Sequence, residues 1–382
     1  MKGSNIINAI LKVYINIFMC ILLCIILGHA ALKLDMKNQR DKIFITINAV
    51  VVALLILEIF SIVFNEINMY SSMEVHKVIN VMGFSMAQIP SFLMWMFLNK
   101  CVDKDREISN KKLVALAMPL IIVVVYSLLS YKFNYIFEIT ENNKYIRGEM
   151  FFISPSASCF YFMINLMFLW KNRTVLWKDE LFIFGLCIFI PLILGIIQIK
   201  YPVILAIWSS WSIVVSCIYI YILHDKSRKD FLTGLGNRVE YNEYIYNLKR
   251  KKHVELSVIN IDLDGLKYIN DNYGHHEGDE TIKVFSKLLR ETFARKTKSI
   301  RLGGDEFTIL IEESNKQNIE WHIKVLSQKF DEYNKNMNKP YIIKFSYGIG
   351  VYNPEQESIE DLMRRCDDLM YMHKRSKDAY AN

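Results

Sequence analysis

Up to about His224 the chain is a succession of long apolar runs; beyond it, apolar and polar positions alternate in short periods. Seven runs, at about 11–32, 43–64, 78–98, 113–130, 150–170, 181–199 and 203–223, are long enough to cross a hydrocarbon core of about 30 Å. Pro90, Pro119, Pro155 and Pro191 fall in the third to sixth runs, which a bundle tolerates when neighbouring helices satisfy the freed carbonyls. After residue 225 the pattern predicts an α/β order. A turn at "GLGNR" leads into an amphipathic helix reaching about Lys252, and "VELSVINID" reads as a strand. A short helix at "GLKYIND", a loop "NYGHHEGDE" and a helix "TIKVFSKLLRETF" follow. Then come a hairpin "SIRLGGDEFTILIEE", a helix at 317–336, strands within "YIIKFSYGIGVYN" and a helix from Ile359 to about Lys374.

The organisation is therefore a multi-span α-helical membrane bundle at 1–224, a linker at 225–229 and an α/β domain at 230–382. Composition supports the division: 52% of the 382 residues are hydrophobic, too many for an ordinary soluble chain. Basic residues are dense after the first run (Lys33, Lys37, Arg40, Lys42), the third (Lys100, Lys104, Arg106, Lys111, Lys112) and the fifth (Lys171, Arg173, Lys178). By the positive-inside rule those loops face the cytoplasm, the N-terminus faces out, and an odd number of spans delivers the domain to the cytoplasm. The alternate loops reach about twenty residues at most, too short for a folded sensor domain. The soluble half carries 27 Lys plus Arg against 26 Asp plus Glu, so the chain's +7 lies mostly in membrane loops and marks no nucleic-acid surface. None of the seven cysteines pairs at metal-ligand spacing. Glu58, deep in the second run, is the ionisable group that a bilayer makes costly, and it reads either as a functional group or as interhelical glue.

The hairpin raises the chemical question. Two glycines, Gly303 and Gly304, precede two acids, Asp305 and Glu306, at its tip. Like charges side by side call for a cation. The strand "VELSVINID" ends in Asp262-Leu263-Asp264, and period two puts Asp262 and Asp264 on one side. If that strand lies beside the hairpin, Asp262 converges on Asp305 and Glu306, a hard-oxygen set suited to Mg²⁺ shared with substrate phosphates. Glycines at the tip let a phosphate approach the backbone. A solvated acidic turn is the competing reading.

The quoted motifs resemble those of the bacterial diguanylate cyclases, whose GGDEF signature stands at 303–307. "DFLTGLGNR" at 230–238 is similar to the family's opening motif, and "DLDGLKYINDNYGHHEGDE" at 262–280 to its nucleotide segment, with Leu266 where an aromatic is usual. "YGIG" at 347–350 and "CDDLMYMHK" at 366–374 resemble its last strand and helix. The resemblance implies a nucleotidyl-cyclase, palm-like domain with a mainly antiparallel central sheet flanked by helices. It implies condensation of two GTP into cyclic di-GMP with release of two pyrophosphates. Asp262, Asp305, the Leu263 carbonyl and Glu306 would hold Mg²⁺, or Mn²⁺ in its place, with Asp305 also the general base. Asn270 and Asp279 would read the guanine edge and His275 would lie near the nucleotide. Lys267, Lys374 and Arg301 would neutralise phosphate charge, and Gly303 and Gly304 would admit it. Partners implied are GTP, a second copy through the catalytic domains and membrane helices, and the lipid of a bacterial inner membrane. The membrane half is similar to the seven-span sensory regions fused to bacterial kinases and cyclases.

Two departures stand out. Asp378 occupies the place of an arginine that the family often has after Lys374, with Arg375 and Lys377 as the nearest substitutes. The arginine and aspartate of the family's inhibitory product site are replaced by Ala294 and Thr297. A GTP-binding module without turnover is the alternative that the missing arginine keeps open, against the intact acids.

Overall fold

The computed structural model describes residues 2–66, 72–103, 108–201, 205–249, 255–293, 297–312 and 315–381. The chain divides into two compact units, Met1–Ile222 and Leu223–Asn382.

The first unit is helical because its apolar runs have no other way to satisfy their backbone in lipid. Its helices are α1 (Lys2–Lys33), α2 (Gln39–Glu66), α3 (Met73–Met86), α4 (Ile89–Val102), α5 (Asn110–Phe133), α6 (Ile153–Lys171), α7 (Lys178–Lys200) and α8 (Ile207–Ser227). With α3 and α4 taken together, seven segments are long and apolar enough to cross a membrane. Large apolar side chains such as Phe18, Ile25, Met167 and Trp170 are exposed on the unit's surface, as lipid-facing positions are. The third expected span is not one helix but two. Pro90 enters at the start of α4, where its missing N–H costs least, and Gln88 at the break donates its amide to Ser154 of α6, at 3.1 Å to the carbonyl and 3.2 Å to Oγ. Between α5 and α6 a two-stranded ribbon, β1 (Phe137–Ile139) and β2 (Tyr145–Arg147), stands where the sequence pattern shows only a loop.

The second unit is a four-stranded antiparallel sheet in the order β4-β5-β3-β6. The strands are β3 (Ser257–Asp264), β4 (Thr297–Gly303), β5 (Glu306–Ile311) and β6 (Lys344–Val351). The helices are α9 (Arg238–Leu248), α10 (Leu266–Tyr273), α11 (His275–Thr292), α12 (Lys316–Asn336) and α13 (Ile359–Ala381). Alternation along β3 sorts its two faces. Ile259, Ile261 and Leu263 join Phe285 and Leu289 of α11 and Ile323, Leu326 and Phe330 of α12 in one buried core. The even positions face α13, which lies flush because Gly348 and Gly350 of β6 carry no side chain: a Cβ at Gly348 would sit 2.1 Å from the Cys366 carbonyl. The sequence places residues 272–280 in a loop, yet α10 runs to Tyr273 and α11 starts at His275; Gly274, at φ 88°, makes the corner and Gly278 hides the helical pattern. The last helix runs past Lys374 to Ala381, and the end of the helix expected to reach Lys252 lies outside the described residues after Lys249.

Candidate active site

The opening motif is a brace rather than a loop. Asp230 accepts from the Thr233 N–H at 2.9 Å and hydroxyl at 2.6 Å, closing a turn that Gly234 completes with φ 67°. Gly236 donates to the Ser299 carbonyl at 3.0 Å and its own carbonyl accepts from Arg301 at 2.8 Å, stitching the motif to β4. Asn237 caps α9, accepting from Val239 and Glu240 at 2.9 and 3.2 Å. Arg301, expected at a phosphate, completes this brace: its Nη1 lies 3.2 Å from Asp230, and Nε and Nη2 donate to the Gly304 carbonyl at 3.0 and 2.9 Å. It shapes the hairpin from below. Asp230 is lifted by burial but held below the usual carboxylate range by Thr233 and Arg301.

The hairpin tip is fixed next. Gly304 adopts φ 50°, the left-handed region that favours glycine, and a Cβ at Gly303 or Gly304 would meet nothing within 4 Å, so the approach is open. The Asp305 carbonyl accepts from the Leu263 N–H at 3.1 Å, pinning the tip to the end of β3. Asp262 stands opposite Glu306 in the β3–β5 register, which puts the two side chains on one face. Asp305 and Glu306 are part-exposed and exposed, respectively.

A cation already meets these acids. Lys374 of α13 lies 2.6 Å from Asp262. Burial, helped by Asp305 and Asp264, pushes the Asp262 carboxyl up against the pull of Lys374. Burial lowers Lys374, but Asp262, Asp305 and Asp264 outweigh it and hold the ammonium above its ordinary value. The contact is one of three. Asn260 donates to Asp367 at 2.6 Å, and Asp264 accepts from Lys377 at 3.2 Å and from Ser346 at 2.8 Å. Positions 260, 262 and 264 step along one strand face; 367, 374 and 377 step along one helix face. Lys377, considered above as a substitute for the missing arginine, is engaged with Asp264 and the Phe345 carbonyl. Asn260 and Asp367 escaped the sequence reading, although the matched periods of strand and helix carry the signal.

Among the described residues no three His, Cys, Asp or Glu side chains gather closely enough to enclose a metal ion. The donor set nevertheless fits a hard divalent cation. Asp305 is close enough to raise the cost of ionising Asp262, Glu306 shares the face of Asp262, and an open side remains for water and phosphate oxygens.

The remaining expected residues form a second cluster at the α10–α11 corner. Gly265, at φ 71°, turns the chain from β3 into α10, which exposes Lys267 in its first turn. Asn270 faces Gly278 so tightly that a Cβ there would lie 1.9 Å from Asn270 Oδ1. His275 and Asp279, one turn apart on α11, are both exposed. Ala294 lies outside the described residues, and Thr297 opens β4 beside Lys298, whose ammonium is bound to the buried Glu240.

Residues 227–379 match the family model described as "Diguanylate cyclase, GGDEF domain", and this part of the chain is a GGDEF domain. The match leaves the membrane unit outside it. An uncharacterized membrane protein of Staphylococcus aureus (strain USA300) is 28% identical over 159 residues, 39% of this chain and 44% of the relative; proteins of strains COL and Mu50 match to the same extent. The alignment thus spans less than half the length of these curated relatives. Among solved structures, the coiled coil and GGDEF domain of DgcB from Caulobacter crescentus in complex with c-di-GMP is 21% identical, covering 42% of this chain and 86% of that one, with a TM-score of 0.38. The active GGEEF domain of a diguanylate cyclase from Vibrio cholerae is 26% identical, covering 37% and 92%, with a TM-score of 0.34.

Proposed function

We propose that this chain is a membrane-bound diguanylate cyclase that joins two GTP into cyclic di-GMP and two pyrophosphates. The observation that carries the reading is the junction of hairpin and strand: Asp262, Asp305 and Glu306 brought to one open edge, with Lys374 beside them. Each domain holds one GTP, and two domains face each other. The 3′-oxygen of one nucleotide forms a bond to the α-phosphorus of the other, the bond to the bridging oxygen of pyrophosphate breaks, and the 3′-hydroxyl proton passes to Asp305. When bound at Asp262, Asp305, Glu306 and the Leu263 carbonyl, Mg²⁺ or Mn²⁺ supplies charge neutralisation for the phosphates and favours the ionised hydroxyl. Lys374 and Lys267 add positive charge, and the bare backbone of Gly303 and Gly304 lets the phosphates come close. Asn270 and Asp279 recognise the guanine edge, since a carboxylate accepts from N1–H and the amino group that adenine does not offer in that pattern; His275 stands beside the nucleotide. The membrane unit controls the facing of the two domains.

The test is synthesis of cyclic di-GMP from GTP and Mg²⁺ by the purified full chain. Asp305→Asn and Asp262→Asn are each expected to cost at least about a hundredfold in turnover, the scale of removing one electrostatic or proton-transfer group. Turnover near wild type in either variant overturns the assignment. GTP binding without product in the wild type selects the alternative, a regulatory binding module, which Asp378 in place of the family arginine favours.

A further inference from the structure

The membrane unit encloses a cavity of about 560 Å³, within the size range of small-molecule sites. Its wall is mixed. Phe84, Phe162, Trp208 and Trp211 supply aromatic surface, while Glu58 and Asn165 supply oxygen. Glu58 is built in as an acceptor. Its Oε2 accepts from Asn16 Nδ2 at 2.6 Å and its Oε1 from Gln198 Nε2 at 3.5 Å. Both amides are oriented by a further layer. Ser209 donates to Asn16 Oδ1 at 3.1 Å, and the Ala206 and Ile207 N–H groups donate to Gln198 Oε1 at 2.9 and 2.8 Å. The NH₂ ends are therefore aimed at Glu58, one strongly and one at the limit of a hydrogen bond, leaving lone pairs for an occupant.

A second acceptor is vacant. Asn165 is 3% exposed and spends its NH₂ on the Ser91 and Tyr161 carbonyls, and its Oδ1 has no hydrogen-bond partner. Buried oxygens without donors are costly, and a carboxylate inside a membrane more so. The basic groups on the wall are held elsewhere: Lys12 pairs with Glu66 at 2.8 Å, and Arg147 lies 4.5 Å from the Phe151 ring centre and donates to the Gln198 carbonyl at 3.4 Å. Among the described residues Glu58 is met by two amides and by no cation, so a positively charged donor with an apolar body suits this wall.

We propose that this cavity binds an organic ammonium ion with an aromatic or other apolar body, the ammonium donating to Glu58 and the body lying against Trp208 and Trp211. Cation–π attraction and apolar burial then add to the charge-assisted bond. The site belongs to the membrane unit alone and stands whether or not the soluble unit turns over GTP.

The experiment titrates the full chain in lipid nanodiscs with phenethylamine and, separately, with 2-phenylethanol, its neutral counterpart, following tryptophan fluorescence and thermal stability. Phenethylamine is expected to bind saturably and at least about tenfold tighter than the alcohol, a difference of about 1.4 kcal/mol. Glu58→Gln, which keeps the volume, is expected to erase that preference. Gly83→Leu leaves the Glu58 partners unchanged and intrudes into the cavity, because Gly83 lines it and a Cβ there meets nothing within 4 Å; it is expected to weaken binding of both compounds by at least about tenfold. Equal affinity for amine and alcohol, a preference that survives Glu58→Gln, binding undiminished by Gly83→Leu, or no saturable amine binding into the millimolar range overturns the proposal. Should Glu58→Gln fail to fold, the amine–alcohol comparison and Gly83→Leu still decide it.

Discussion

Gly278 shows how much one missing methyl can carry. It sits inside α11, where alanine would ordinarily stabilise the helix by up to about 1 kcal/mol. Here a Cβ would overlap Asn270 Oδ1 at 1.9 Å, so Gly278→Ala must displace Asn270. The expected outcome is a rise of about tenfold or more in the KM for GTP with the fold retained, as befits loss of base recognition; an unchanged KM would separate Asn270 from the nucleotide. Glu240 makes the electrostatic counterpart. It is 2% exposed and bound to Lys229 at 3.0 Å and to Lys298. Burial alone would raise its carboxyl, but the two ammonium groups outweigh it and hold the value below the ordinary range. A group depressed in the folded state stabilises above its unfolded value, about 4.3, and loses that contribution as pH falls through the folded one. Glu240→Gln is therefore expected to cost about 3 kcal/mol near pH 7, since it removes the buried carboxylate that two lysines share. The gap to wild type should close at acid pH as the wild-type carboxyl protonates. Urea-dependent proteolysis of the soluble unit across that range measures it, and a gap independent of pH refutes the account.

At the scale of elements, what the sequence reveals depends on whether a single period governs the segment. The membrane runs and the core face of β3 obey one period each, and both are legible. The break between α3 and α4 is not, because Pro90 is compatible with a kinked single helix and with a new start; only the Gln88 bond to Ser154 decides it. The beginning of α11 is hidden because its glycine serves a tight contact rather than a loop. Arg301 illustrates the same limit for the site: an arginine beside a glycine-rich tip reads as a phosphate ligand, but it is held by the nearby Gly304 carbonyl and by Asp230, 71 residues away in the chain. The union of α13 with the sheet is the element that a change should break most informatively. Gly348→Ala puts a Cβ 2.1 Å from the Cys366 carbonyl and 2.6 Å from the Met370 nitrogen, both backbone atoms that cannot rotate away. The helix must move, at a cost of about 1–3 kcal/mol, and Lys374 moves with it. If Lys374 serves the phosphates as proposed, turnover should fall more than GTP affinity, because Asn270 and Asp279 stay in place. Equal loss in both, or none, would show that α13 only packs.

For the whole molecule the question is which side of the membrane each end faces. The seven apolar segments are present, but span number fixes only that the two ends lie on opposite sides. The sign comes from charge. Loops after the first, third and fifth spans carry four, five and three Lys or Arg residues, whereas the second carries Lys77 beside Glu66 and Glu74, the fourth carries Lys132, Lys144 and Arg147 offset by Glu138, Glu141 and Glu149, and the sixth carries Lys200. Short loops rich in Lys and Arg stay in the cytoplasm. The ribbon of β1 and β2 supports the alternation of sides, though not its sign, by a separate route. Lys144 is bonded to the Asn65 carbonyl and Tyr145 accepts no such role itself but donates its N–H to Asn65 Oδ1 at 2.8 Å, so this loop folds back on the end of α2, and the second and fourth connections share one side. The proposed substrate, GTP, is cytoplasmic, and a cyclase on the other face would have none. Fusion of alkaline phosphatase after Lys144 is therefore expected to be active, fusion after Lys37 or at the C-terminus inactive, and a C-terminal green fluorescent protein bright. An active phosphatase at the C-terminus would reverse the topology and, with it, remove the proposed enzyme from its substrate.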